Sequence, residues 1–228
     1  MNSPGNLIAS GRDADIFAHG NGPVLRRSRN GCSLAIEAKT MEFVRSPGYP
    51  APEIFDLSDD GVDLVMERID GPTMVDAAGS RPWKIRSYGR SLAELHWSLH
   101  ALPAPAWLAN APFGSGERLV HMDLHPLNVL PSKNGPVVID WPNAVRGEPA
   151  VDGAATWILM FSGELPTRRA KAAILGVGRT IILKAFLSSL PKDELRRVPS
   201  EVIEWKCQDP HVSAAEILGM RSLLAATS

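Results

Sequence analysis

Over roughly its first third the chain alternates short apolar runs with turn chemistry. Leu7-Ile8-Ala9, Ile16-Phe17-Ala18 and Val24-Leu25 are separated by Ser10-Gly11-Arg12-Asp13 and by Gly20-Asn21-Gly22, which predicts a small antiparallel meander. From Ser33 to Arg45 the period lengthens. Leu34, Ile36, Met41 and Val44 stand among charges, so one helix is expected there with Ser33 as candidate N-cap. Glu53 to Phe55 and Val62 to Met66 return to strand patterning, joined by the Asp59-Asp60-Gly61 turn.

Gly71-Pro72 then breaks the pattern and makes Glu67 to Gly71 the natural linker. The expected organisation is a β-rich lobe over residues 1–69 and a helical lobe over 70–228. In the second lobe, Ile85 to Leu102 carries Leu92, Leu95, His96 and Leu99 on one helical stripe, ended by Pro103-Ala-Pro105. Further helical stretches are expected around 151–162, 167–190 and 211–226. The fold class read from this pattern is α+β: a small antiparallel sheet with one helix, followed by a mainly helical lobe that carries a hairpin.

Composition changes the picture only by exclusion. A chain of 228 residues with 44% hydrophobic and 21% charged positions is an ordinary globular protein, long enough for one large domain or two small lobes. A formal net charge of −1 leaves no basic excess for general nucleic-acid binding. Cys32 and Cys207 are the only cysteines and form no metal-type pair, as expected for reduced cytosolic thiols. The start of the chain lacks a signal-peptide pattern and no run of about eighteen apolar residues occurs. A cytoplasmic location with no membrane partner is therefore expected.

The chemistry concentrates in His121-Met-Asp-Leu-His-Pro-Leu-Asn128 and in Val137-Val-Ile-Asp140-Trp141. Val129-Leu130 and Val137-Val138-Ile139 flank Lys133-Asn134-Gly135, whose Asn-Gly step is a hairpin signal. Asn128 and Asp140 each lie six residues from Asn134, so a hairpin folded about that turn sets an amide oxygen and a carboxylate at its open end. Such oxygen ligands suit Mg²⁺, which completes its shell with water and substrate phosphates. Asp123, in the loop before the first strand, is a candidate proton acceptor for an attacking hydroxyl. The bland alternative is that all three satisfy backbone donors, as Asn and Asp do in turns.

The spacing Asp123-x-x-x-x-Asn128 followed by Asp140 resembles the base and metal ligands of a kinase catalytic loop. His-x-Asp-Leu-His-Pro-x-Asn followed by Ile-Asp-Trp is more closely similar to the aminoglycoside phosphotransferase and choline kinase branch of the protein-kinase-like fold. The similarity continues through Gly48-Tyr-Pro-Ala-Pro52, Leu64 to Met74 and Gly147-Glu-Pro-Ala-Val-Asp152, covering roughly residues 7 to 160. The resemblance implies a two-lobed fold, ATP and Mg²⁺ as cofactors, Asp123 as base, and Asn128 and Asp140 as metal ligands.

It also implies a strand cation that holds the α- and β-phosphates and a helix acid that orients it. Val24-Leu25-Arg26 matches the strand, with Arg where Lys is usual, and Arg27 competes because alternation points only one of the pair inward. Glu37 matches the helix acid, with Glu42 as its rival. Ser10 and Gly11 are candidates for the phosphate-covering loop, although a single Gly matches neither known glycine-rich pattern. Val65, Met66, Glu67 and Ile69 would lie beside the adenine, and an ordinary buried strand would use the same residues. Asp152 is expected to cap the following helix and brace the loop. Trp141 and Trp157 are expected in the core or a cleft wall.

The function these readings imply is transfer of the γ-phosphate of ATP to a hydroxyl on a small molecule, by a monomer or weak dimer. Two alternatives stand beside it. One is a metal-dependent hydrolase using His121, Asp123 and His125 as ligands, and the other is a nucleotide-binding pseudokinase. The acceptor is not legible: from Glu148 to Ser228 nine acidic residues face ten basic ones, so no acidic excess favours a polycationic antibiotic.

Overall fold

The computed structural model describes residues 4–11, 13–113, 115–163, 169–190, 199–208 and 212–227. In chain order the strands are β1 (Leu7–Ser10), β2 (Ala14–Ala18), β3 (Val24–Ser28), β4 (Ile54–Leu57), β5 (Asp63–Met66), β6 (Arg118–Val120), β7 (Val129–Ser132), β8 (Gly135–Val138) and β9 (Val145–Gly147). The helices are α1 (Ala35–Arg45), α2 (Met74–Ser80), α3 (Ile85–His100), α4 (Pro149–Ser162), α5 (Arg169–Leu187), α6 (Pro199–Cys207) and α7 (Ala214–Thr227). They form two compact units, Met1–Gly71 with Leu130–Pro142, and Pro72–Val129 with Asn143–Ser228.

The first unit holds a five-stranded antiparallel sheet in the order β1-β2-β3-β5-β4. The expected meander supplies its first three strands. In β3, Arg26 lies opposite Ile16 on one side and Leu64 on the other, which fixes the face each side chain takes. Helix α1 buries Ala38, Met41 and Val44, and Glu37 and Thr40 share that buried face. Its cap position is Leu34, not Ser33. Leu34 donates its amide to the Gly61 carbonyl at 2.7 Å, which shifts the helix start by one residue, and the Ser33 hydroxyl accepts from Ala35 at 3.3 Å. Ile36, read as part of the apolar stripe, is 54% exposed.

The β7–β8 hairpin groups with this first unit, whereas the sequence placed it in the lobe over 70–228. The reason is local bonding. Val138 donates its amide to the Pro50 carbonyl at 2.8 Å, and Trp141 meets Tyr49 edge-on with centroids 5.7 Å apart. The turn residues are Lys133 and Asn134, with Gly135 at φ 117° opening β8, so the hairpin centre lies between Lys133 and Asn134 rather than on Asn134.

The second unit is built on α4, whose buried residues include Ala150, Val151, Ala154, Ala155 and Ile158. Val202 and Ile203 of α6, Met220 and Leu223 of α7, and Val120 and Met122 complete one apolar cluster with it. Burial of this kind contributes about 25 cal/mol per Å² of apolar surface and is the main term that holds the helices in place. Helix α3 buries the expected Leu92, Leu95, His96 and Leu99 and packs against α5. At Gly89 any Cβ would collide with the Ile182 carbonyl, so glycine is what lets those two helices approach. A short antiparallel pair, β6 with β9, leads into and out of the segment that carries the chemistry.

Helices α2 and α6 were not expected from the sequence. Thr73 caps α2 by accepting the Asp76 amide at 3.2 Å. Of the longer expected helices, residues 167–168 and 211 lie outside the described residues, as does Arg12 of the candidate phosphate loop. Among the described residues no helix is long and apolar enough to cross a membrane.

Candidate functional site

In the first unit, β3, α1 and the segment after β8 bring three charged residues together. Arg26 Nε lies 3.2 Å from Glu37 Oε2, and Arg26 Nη2 donates to Asp140 Oδ1 at 3.0 Å. Strand alternation sends the neighbouring Arg27 elsewhere. Its Nε and Nη2 donate to the two carboxylate oxygens of Asp63 at 2.7 and 2.6 Å. Glu42 is exposed and Glu37 is 4% exposed, so the helix acid on the buried side is Glu37. Burial pushes the Glu37 carboxyl up to about 6, against the pull of the Arg26 guanidinium and with a further push from Asp140. The Trp141 amide donates to Glu37 Oε1 at 3.4 Å, tying the segment after Asp140 to α1. Asp140 itself sits at φ 67°, a left-handed conformation that Asp tolerates better than most residues.

Ser10 and Gly11 are differently engaged than the sequence suggested. The Ser10 hydroxyl donates to Asp15 Oδ1 at 2.5 Å, and the Gly11 amide donates to the Ala14 carbonyl at 2.9 Å. Both donors close their own turn. Val65 is buried in β5, and Met66, Glu67 and Ile69 are half-buried at and beyond its end. The Glu67 amide donates to Glu53 at 2.7 Å and its carboxylate faces Arg45 at 3.6 Å.

In the second unit, Asp123 follows Met122, which is held at φ 65°. A left-handed residue other than Gly costs roughly 1–2 kcal/mol, and Asp152 supplies the compensation. Its carboxylate accepts the Met122 amide at 2.7 Å, the His121 amide at 3.1 Å and His100 Nε2 at 2.9 Å. Asp152 is fully buried, in the first turn of α4 after the cap position Glu148. The bracing expected of it is present, whereas the helix cap is not. Burial alone would raise its pKa, but the bond from His100 and the nearby His96 and His121 hold it well below the ordinary carboxylate range.

Asn128 donates through Nδ2 to the Asp123 carbonyl at 2.9 Å and to Asp123 Oδ2 at 3.0 Å. His125 Nε2 lies 3.6 Å from the same Oδ2, and Lys206 Nζ lies 3.4 Å from Oδ1. Burial again opposes ionisation, yet His125, Lys206 and His121 together bring the Asp123 carboxyl far below its usual value. It is an ionised, acceptor-only group. Sequence reasoning missed Lys206 and His100. A signal existed for Lys206, which falls on the buried stripe Val202, Ile203, Lys206 of α6, but the helix itself was not recognised.

The metal expected from the motifs can be tested against these atoms. Because both Asn128 amide bonds leave through Nδ2, its Oδ1 is turned away from Asp123 as an acceptor. The Asp140 side chain is 39% exposed, with one oxygen on Arg26. Each by itself offers a hard oxygen donor of the kind Mg²⁺ takes, so each residue fits the ion. The hydrolase alternative fits less well. Among the described residues, the His and acidic atoms that come within 4.8 Å of one another are those of His96, His100 and Asp152, not His121, Asp123 and His125.

Comparison with known proteins bears out the resemblance seen in the motifs. A model of the Phosphotransferase enzyme family matches residues 105–180, the stretch that holds Asp123, Asn128, Asp140 and Asp152. The fold is that of small-molecule kinases. The chain is similar to ADP-bound aminoglycoside phosphotransferase APH(2'')-Ib, with TM-score 0.61, 14% identity, and coverage of 100% of this chain and 93% of that one. It is similar also to a choline/ethanolamine kinase family protein from Mesorhizobium loti, with TM-score 0.64, 15% identity, and coverage of 98% and 88%. Amicoumacin kinase hAmiN in complex with AMP-PNP, Ca²⁺ and Ami matches with TM-score 0.56, 13% identity, and coverage of 97% and 86%. No curated protein matches the chain.

Proposed function

We propose that the protein is an ATP-dependent phosphotransferase that moves the γ-phosphate to a hydroxyl of a small molecule. The observation that carries this reading is the pairing of Arg26 with both Glu37 and Asp140, a strand cation joined to a helix acid and to the acid that follows the hairpin. Phosphoryl transfer asks the protein mainly for positioning and charge neutralisation, and these residue types supply both. Arg26 would bind the α- and β-phosphates as a bidentate donor, with Glu37 orienting its guanidinium.

Asn128 and Asp140 would hold Mg²⁺, which when bound neutralises charge on the phosphates. Asp123 would accept the hydrogen bond of the attacking hydroxyl and take its proton as the new O–P bond forms and the bond from the γ-phosphorus to the bridging oxygen breaks, releasing ADP. Asn128 holds that carboxylate in place through Nδ2. Met66, Glu67 and Ile69 would line the adenine edge. Ser10 and Gly11 are given no phosphate in this reading, since their donors are spent within the turn.

The neighbours that bind ADP and AMP-PNP support a nucleotide donor, and those named for aminoglycosides, choline/ethanolamine or amicoumacin support a small acceptor. The test is acceptor-dependent ADP release from ATP and Mg²⁺ across hydroxyl-bearing metabolites and antibiotics. Turnover that disappears in Asp123→Asn while nucleotide binding persists is the expected result. Tightly held stoichiometric zinc with no ATP turnover would overturn it.

A further inference from the structure

Helix α6 turns Val202 and Ile203 into the core of the second unit, and the next position on that stripe is Lys206, which is 5% exposed. A leucine or methionine would satisfy that position by packing alone. An ammonium there must instead be paired, because removing it from water costs several kcal/mol. The partner is Asp123, with Nζ 3.4 Å from Oδ1, and the ammonium also sits 4.8 Å from the centroid of Trp205. The acidic residues of the helix, Glu201 and Glu204, are exposed and belong to its other face.

One oxygen of Asp123 is held without Lys206. Asn128 donates to Oδ2, and His125 stands 3.6 Å from it. Both of those contacts engage Oδ2, and the ion pair places a buried positive charge on Oδ1, the other oxygen of the carboxylate. We infer that Lys206 is a positioning residue that aims the Asp123 carboxylate at the attacking hydroxyl by holding its Oδ1. This inference rests on the phosphotransferase reading above.

The reasoning is geometric. A general base must stand within hydrogen-bond reach of the proton it takes, and a misplacement of about 1 Å costs on the order of a hundredfold in rate. With Oδ2 held by Asn128 and Oδ1 held by Lys206, both oxygens of Asp123 are engaged and the plane of the carboxylate is set.

The experiment uses the full chain as wild type, Lys206→Met and Lys206→Arg, with folding checked by circular dichroism and thermal melting. Two readouts are taken: slow ATP hydrolysis with water as acceptor, and kcat/KM over a panel of aminoglycosides, neutral sugars and nucleosides, and hydroxy acids. In Lys206→Met, kcat is expected to fall about tenfold or more with KM for ATP unchanged, and Lys206→Arg is expected to restore most of it. Wild-type kcat in Lys206→Met overturns the inference alone. No ATP turnover in wild type is a failure of the phosphotransferase reading, and the inference falls with it.

Discussion

Asp152 Oδ1 accepts the amide of Met122 at 2.7 Å, at the one left-handed residue that immediately precedes Asp123. A carboxylate on the buried helix α4 thus sets the backbone direction from which Asp123 projects. Asp152→Asn keeps the shape but removes the charge from an acceptor serving two amides and His100. The loss expected is about 3 kcal/mol, the scale for breaking a buried charged pair. Chemical denaturation measures it, and a variant within 0.5 kcal/mol of wild type, roughly the range of a neutral surface change, would refute the bracing role.

Arg26 and Arg27 are adjacent, yet their partners predict opposite outcomes. Arg26→Gln is expected to raise KM for ATP at least tenfold, because it removes the charge proposed for the phosphates. Arg27→Gln breaks a pair with Asp63 in which Arg27 is 41% exposed, so its cost is at most about 1 kcal/mol of stability with KM for ATP unchanged. Steady-state kinetics on the two variants decides; equal effects would contradict the assignment of faces.

Glu37 gives a pH signature. Its folded pKa, raised to about 6 by burial, lies above the ordinary 4.5. The protonated form is thus favoured by folding. The associated stability is full below about 4.5 and is lost as pH rises through about 6, a change of roughly 2 kcal/mol. Urea unfolding of wild type and Glu37→Gln between those limits should show the variant gaining on wild type as pH rises. A difference that stays flat across the window would remove this account of Glu37.

Asp140→Ala removes both a proposed Mg²⁺ ligand and the partner of Arg26. The expected result is loss of turnover by at least a hundredfold, with the magnesium concentration for half-maximal rate shifted upward. Titration of the rate with MgCl₂ is the readout. An unchanged magnesium dependence in an active variant would take Asp140 out of the metal's shell.

Much of this was legible from short-range spacing. Strand alternation and turn residues located β1 to β5, because a two-residue period and glycine-bearing turns are local properties. The Asp123, Asn128 and Asp140 spacing singled out the residues to which the proposed chemistry is assigned. The choice between Arg26 and Arg27, and between Glu37 and Glu42, was open in sequence. Each depends on which face packs inward, and the burial of Glu37 against Arg26 fixed it. The N-cap moved from Ser33 to Leu34 through a bond to Gly61, a contact nearly thirty residues along the chain. Ser10 and Gly11 looked available because a sequence does not reveal that donors are consumed by their own turn.

What the sequence determined by itself was the type and order of most elements and the identity of the acids and amide that carry the proposed chemistry, since these follow from periodicity and from side-chain ligand chemistry. Only the tertiary structure decided what surrounds them. Lys206 lies eighty-three residues from Asp123, and His100 lies fifty-two from Asp152. No local pattern encodes those distances; they arise where the apolar faces of α3, α4 and α6 are buried and bring charged side chains from distant segments together.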